Sequence, residues 1–488
     1  MPEKRRNTKI KNTLNLSSSI VIAVAAVLAI VYLYLSGISP IISWPAAIIV
    51  LLITGYLISS ANGLVGFFGM YMIGSPRGIW IINKLAGRGE WFWKFMADWG
   101  LAAGFGLISY FMFRKRISAR MALFGAVSAV LIMGFAVPFM AVSFNFINIP
   151  QINSRIASAP AASSSINLLA YAIYAVNFIG GFTLFIFYSI LYNAVSILYG
   201  IATYLLSLSA AVPNTAALSS QIPGVAPLIP GITIPIFAGI LALVLILVVH
   251  EFSHGVLSKL SKVRIKSIGL VVFGIIPMGA YVEPDEKKIL KLKAHEQNRI
   301  FSAGIASNIL LSIIFTVLLV IMLIYVLPNF VTTYVTVTAV VNGSPAYNVI
   351  TPGSIVYSWN GHQISNITSL TAAAAQDAPS SIVNVVTNKG SYSLIAASNG
   401  KIGVDLAQES GPIPGNILSQ FIYFIYTFVA LSAILNFLVG VVNLLPIPGF
   451  DGWRIFQTSI KDKRIVNAIA LLAILAIIIN VLPWIWEA

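Results

Sequence analysis

The residues of this 488-residue chain best equipped for chemistry are His250-Glu251-Phe252-Ser253-His254. The two histidines stand four positions apart, so on a helix both imidazoles share a face and reach one metal ion. Glu251, beside the first ligand, is placed to take a proton from a metal-bound water. Zinc lowers the pKa of such a water toward neutrality and makes a hydroxide nucleophile available at physiological pH. The motif closes an uncharged apolar run, Ala238 to Val249. Ionisable groups inside a spanning helix are costly and mark function. Three of them within five residues call for a compensating partner, which a metal supplies and a chance match does not.

A catalytic zinc takes three protein ligands and keeps one position open. The chain has no cysteine, so the third ligand must offer nitrogen or oxygen. Asp451 is the first candidate, in Asn443-Leu444-Leu445-Pro446-Ile447-Pro448-Gly449-Phe450-Asp451-Gly452. That segment ends an apolar run over 415–445 and returns to the membrane side where His250 lies. Its two prolines break the helix, and irregular backbone at membrane depth is tolerated only when buried in protein or lining a cavity. Glu283, in the loop after the motif, is a competing ligand. The plain alternative for Asp451 is a cap on the following helix.

These residues must be carried by membrane helices. The composition is 58% hydrophobic and 9% charged, against about 25% charged in soluble domains. Apolar runs lie at about 19–36, 41–61, 98–113, 121–143, 167–207, 232–258, 299–328, 415–445 and 464–485, and most are long enough to span a bilayer. Run 167–207 is too long for one helix, and Gly180-Gly181 divides it as a hairpin. The basic start (Lys4, Arg5, Arg6, Lys9, Lys11) precedes an apolar run with no convincing cleavage site, and we read that run as a retained helix. The net charge of +15 comes from short basic clusters between apolar runs. These are topology signals and do not point to nucleic acid. Segments 259–299 and 453–464 are basic and read as cytoplasmic. Segment 329–414 holds only Lys389 and Lys401 among its basic residues and reads as external.

Segment 329–414 also differs in texture. Alternating stretches (Val331 to Val341, Ser381 to Val386, Tyr392 to Ile395) and turns at Asn342-Gly343 and Asn360-Gly361 predict a small β-rich domain. His362, in a turn, and His295, in a basic loop, read as solvated. Trp91-Phe92-Trp93 reads as an interfacial anchor.

The pairing of His-Glu-Phe-Ser-His on a spanning helix with the distant Asn-x-x-Pro-x-Pro-x-x-Asp-Gly resembles the site-2 protease family of intramembrane zinc metalloproteases. The resemblance covers roughly 232–485. It implies that His250, His254 and Asp451 hold Zn2+ and that Glu251 is the catalytic base. Where the family usually shows Asp-Gly-Gly, this chain has Asp451-Gly452-Trp453. Ala303-Gly304-Ile305-Ala306-Ser307-Asn308 is similar to the family's Ala-Gly-Pro-x-x-Asn, which implies that Asn308 lies near the metal as an oxyanion donor. An interhelical hydrogen bond is the alternative. Gly279-Ala280-Tyr281 resembles the family's Gly-Tyr-Val element, a strand edge that binds unwound substrate by β-addition, or else a packing loop. Gly343-Ser344-Pro345-Ala346, Gly353-Ser354-Ile355 and Asn360-Gly361 resemble a protease PDZ domain, with Ser354 in place of the usual Asp.

The expected fold is an all-α polytopic membrane core with an inserted PDZ-like domain. Residues 1–230 form an N-terminal multi-helix extension, 231–328 and 413–488 the two halves of the core, and 329–412 the external domain. The expected function is cleavage of membrane proteins that carry a transmembrane helix, as in regulated intramembrane proteolysis, with the active site toward the cytoplasm. A non-catalytic receptor using the PDZ-like domain and a zinc protease with a glutamate third ligand are the alternatives.

Overall fold

The computed structural model describes residues 16–36, 38, 40–113, 116–138, 140, 168–209, 213–225, 228–231 and 233–487. The basic start lies outside them. The run that follows it is a helix, Leu16–Leu35. Among the described residues seven helices are long and apolar enough to cross a membrane. The chain divides into two compact units. One is drawn from Met1–Pro138, Ala162–Phe315 and Leu431–Ala488, and the other from Phe139–Ala161 and Thr316–Ala430.

The first unit carries the motif. Its helices are uncharged over most of their length, so length and apolarity define them and an amphipathic stripe does not. The motif helix is Ile236–Leu260. A partner helix, Ala294–Ile321, begins in this unit, and a return helix, Ile417–Val442, ends in it. A short aspartate helix, Asp451–Ser459, follows the two-proline turn. The long apolar run, Leu168–Ser207, is two helices joined at a kink, divided at the Gly180-Gly181 pair as expected. Gly181, at φ +61° and ψ −161°, is the kink between them, a conformation open to glycine and strained for other residues.

The all-α expectation fails over one stretch of this unit. Strands β1 (Gly66–Phe67), β2 (Met70–Ser75), β3 (Ile265–Phe273) and β4 (Ile276–Pro284) form an antiparallel sheet in that order. β3 shows no clean alternation of buried and exposed positions, so it lacks the period-2 signal of a half-exposed strand. β2 comes from the N-terminal stretch and pairs with a strand far along the chain, Met70 opposite Phe273. No local pattern carries such a pairing.

The N-terminal stretch is built into the same unit by close packing. Helix Glu90–Phe105 lies against the partner helix. A Cβ on Gly100 would meet Ala306 Cβ at 2.5 Å, and Ser302 Oγ donates to Ala97 O at 3.0 Å. Asp98 accepts from both Nε (2.7 Å) and a terminal nitrogen of Arg299. His295 Nε2 stands 3.8 Å from Asp98 Oδ1. It is packed beside an ion pair rather than solvated as expected. Trp91 is exposed, while Trp93 donates its indole N–H to Leu85 O.

The second unit contains an antiparallel sheet in the order β10-β5-β6-β8-β9, with β7 paired to β6. Its strands are β5 (Val331–Val340), β6 (Ile355–Trp359), β7 (His362–Gln363), β8 (Ile382–Thr387), β9 (Gly390–Ile395) and β10 (Val404–Pro412). β8 alternates exposed and buried positions throughout, which is why its pattern was readable. Val335, Val356, Trp359, Leu370, Val383 and Val385 form the core. Ser354 is fully buried and donates to Thr351 O at 2.6 Å. His362 is exposed on β7.

Candidate metal centre

The motif residues sit in the C-terminal half of the motif helix, after an uncharged apolar run. His250 Nε2 lies 3.1 Å and His254 Nε2 lies 3.2 Å from Asp451 Oδ2. One ligand atom from each of the three residues lies within 4.8 Å of the other two. The three side chains are 8%, 13% and 17% exposed. Asp451 reaches this point because Pro446 and Pro448 end the return helix in a turn, with Ile447 N–H donating to Leu445 O and Phe450 N–H to Ile447 O. Gly452 N–H then donates to Asn443 O at 2.7 Å. A Cβ on Gly452 would stand 2.2 Å from Leu444 O, so only glycine lets the aspartate helix fold back this tightly.

A metal ion fits these residues. Asp451 Oδ2 is buried and accepts no well-aligned hydrogen bond, although both imidazoles face it. Tetrahedral zinc with bonds of about 2.0–2.2 Å spaces its ligand atoms at roughly 3.3 Å, close to the two separations found. The partner helix also leaves room: a Cβ on Gly304 would stand 2.5 Å from Nε2 of each histidine. The outer nitrogens of the rings are engaged by the same helix. His254 Nδ1–H donates to Ile300 O at 2.7 Å, which leaves Nε2 with its lone pair toward Asp451.

Glu251 is not part of the ligand cluster but shares its cavity of about 670 Å³ with His250, His254, Asp451, Trp453 and Arg454. Its Oε2 accepts from Val282 N–H at 3.2 Å. Val282 is on β4, the sheet's outer strand, so the catalytic-base candidate is tied to a strand edge. Gly279, Ala280 and Tyr281 precede it on that strand. They do not line the cavity, whereas Val282 and Pro284 do. Gly279 packs against the motif helix, with Leu247 Cδ1 3.2 Å from where its Cβ would be.

Glu283 points elsewhere. Lys266 Nζ donates to its Oε1 at 3.0 Å and Ser267 Oγ to its Oε2 at 2.9 Å. The Lys266 hydrogen bond holds the carboxyl below its ordinary pKa, with Ser267 adding to the effect against burial. Both oxygens are committed to β3, and the ligand cluster does not include them.

Asn308, expected near the metal, contacts one of the candidate ligands. It is fully buried, stands with Nδ2 3.1 Å from His250 Nδ1, and does not line the cavity. It meets His250 at Nδ1, the ring nitrogen opposite the one that faces Asp451. Sequence reasoning also missed Ile300 and the clearance at Gly304. A glycine inside an apolar helix is the usual sign of close approach, but the sequence does not say by what.

A family model described as peptidase family M50 matches residues 238–482. An uncharacterized protein of Methanocaldococcus jannaschii is 28% identical over 243 residues, which cover 48% of this chain and 61% of that protein. The chain thus spans about three-fifths of the length of that curated relative. The matched region contains His250, Glu251 and His254 on the motif helix and all of the aspartate helix.

Proposed function

The chain belongs to peptidase family M50, the family of the site-2 proteases, and on that premise we propose that it is a zinc-dependent endopeptidase cleaving membrane-spanning proteins, with Glu251 as general base. Membership makes it an intramembrane metalloprotease. The observation that carries the finer reading is the convergence of His250 Nε2, His254 Nε2 and Asp451 Oδ2 on one point of a cavity that also holds Glu251.

His250, His254 and Asp451 would hold the zinc, which supplies a Lewis acid for the scissile carbonyl and a water acidified toward neutrality. Glu251, oriented by Val282 N–H, takes the proton of the attacking water and gives it to the departing amine. Of the cavity carboxylates, Asp451 is taken as a ligand and Glu286 pairs with Arg454, which leaves Glu251, beside the ligand His250, as the proton carrier.

Substrate positioning falls to β4. A helical peptide bond is shielded by its own hydrogen bonds, so cleavage requires extended backbone. Val282 N–H points away from β3, and by the alternation of an antiparallel ladder Ala280 N–H and C=O point the same way. Those groups suit addition of an unwound substrate strand beside Glu251. Gly279, Ala280 and Tyr281 therefore act through backbone, as a rail leading to the cavity.

The basic residues of 259–299 and 453–464 support a cytoplasmic active site, with 329–412 external. The β-rich unit there, with its turn at Asn360-Gly361 and its helix Ile367–Ala374, is compatible with a PDZ-like domain that screens or binds substrates before their transmembrane helix enters from the bilayer. Membrane-fragment proteomics of cells carrying the native protein or Glu251→Gln tests the function. Membrane stubs should accumulate with the variant, and identical fragment profiles would refute the protease reading.

A further inference from the structure

The partner helix makes a second set of contacts to the metal residues. Ile300, Gly304 and Asn308 follow one another at four-residue intervals and so lie along one face of the helix. That face runs along His254 and His250. Ile300 O takes the Nδ1–H of His254, Gly304 leaves clearance for both Nε2 atoms, and Asn308 meets Nδ1 of His250. Asn308 is enclosed: Gly440 of the return helix packs on it, with Asn308 Cβ 3.4 Å from where a Gly440 Cβ would be.

The hydrogen-bond inventory at Asn308 is unbalanced. Its Nδ2 faces His250 Nδ1, while its Oδ1 is buried with no partner among the described residues. The two ends of an amide have nearly the same shape, so the surrounding donors and acceptors decide which end faces the ring. With Nδ2 toward the ring, Nδ1 must be the acceptor and Nε2 carries the hydrogen. That hydrogen would point at Asp451 and block a metal. With the amide turned by half a rotation, Oδ1 gains a donor in Nδ1–H, and Nε2 presents its lone pair to the same point as His254 and Asp451. In either arrangement one end of the amide has no partner among the described residues, so the ring decides: only the second leaves both rings in the same tautomer, with both Nε2 lone pairs free for a metal.

We propose that Asn308 is a positioning residue that accepts the Nδ1–H of His250 and thereby holds Nε2 of that ring as a metal ligand. This rests on the metal site proposed above. It gives the two histidines matching supports, a backbone carbonyl for His254 and a side-chain amide for His250. Outer partners of this kind are worth about 10–100-fold in metal affinity.

Zinc affinity of the purified full-length protein, stripped and titrated against a competing chelator, tests this. Asn308→Leu keeps the volume and removes the acceptor, and zinc should bind about 10–100-fold more weakly. Asn308→Asp restores an acceptor at the same place and should recover affinity to within a few fold of native. The thermal midpoint of the zinc-free protein separates folding from positioning and should move little. Should the leucine variant not fold, Asn308→Ala against Asn308→Asp makes the same comparison. Native affinity in the variant lacking the acceptor, or an aspartate variant as weak as it, would overturn the positioning role alone. A native protein that takes up no zinc would overturn the metal site and this role with it.

Discussion

Val282 on the outer strand of the membrane unit's sheet donates its backbone N–H to Glu251 Oε2 at 3.2 Å. One hydrogen bond thus joins the group that would move the proton to the strand edge that would present the peptide.

Replacing Glu251 by Gln keeps the side-chain shape and the Val282 contact but removes the proton acceptor. Zinc content should stay near one per chain. Cleavage of a reconstituted single-span substrate should fall by about 10²–10⁴-fold. Cleavage at the native rate would show that another group is the base.

The third-ligand assignment separates cleanly by mutation. Asp451→Ala should lose bound zinc after dialysis, whereas Glu283→Ala should retain it, because the Glu283 oxygens are held by Lys266 and Ser267. Elemental analysis of the two purified variants decides. The reverse result would favour a glutamate-ligated site.

Gly304→Ala puts a methyl group 2.5 Å from Nε2 of both His250 and His254. Overpacking of this kind costs about 1–3 kcal/mol. If that cost falls on the ligand geometry it amounts to roughly 5- to 150-fold weaker zinc binding. Chelator competition would register it, and unchanged affinity would mean that the helices yield freely there.

Ala280→Pro removes one outward N–H from β4. Proline is tolerated on an edge strand when its missing N–H faces away from the ladder, so zinc content should be unchanged. Loss of one substrate hydrogen bond should lower kcat/KM by roughly two- to tenfold. Unaltered kcat/KM would argue against strand addition at this edge.

The Asp98–Arg299 pair ties the N-terminal stretch to the partner helix with side chains 16% and 24% exposed. Removing one partner of a largely buried pair leaves a charge uncompensated, so Asp98→Ala should cost about 3 kcal/mol. Asp98→Ala with Arg299→Met should recover part of that loss. Thermal unfolding of the two variants in one detergent gives the comparison.

Much of the metal centre was legible from residue types alone. A four-residue histidine spacing has one geometric meaning on a helix, and charge inside an apolar run needs a partner whatever the fold. Asp451 was legible because two prolines stop a helix beside it. The β-rich unit was legible where strands are exposed on one face, as in β8, and β10 escaped because its burial does not alternate. Asn308 was placed near the metal by resemblance, yet its side of the ring was not, since one residue on a helix can reach either nitrogen.

The order of residues thus determined that this chain lives in a membrane, which residues are candidates to hold a metal, and roughly where its apolar helices lie, because each follows from local composition and spacing. Tertiary structure decided that an N-terminal strand completes the sheet beside the motif, that Glu283 is taken by Lys266, and that Gly304 and Asn308 back the two imidazoles. Those outcomes depend on which distant segments meet and at what depth. Close packing of helices and strands fixes that, and no single stretch of the chain encodes it.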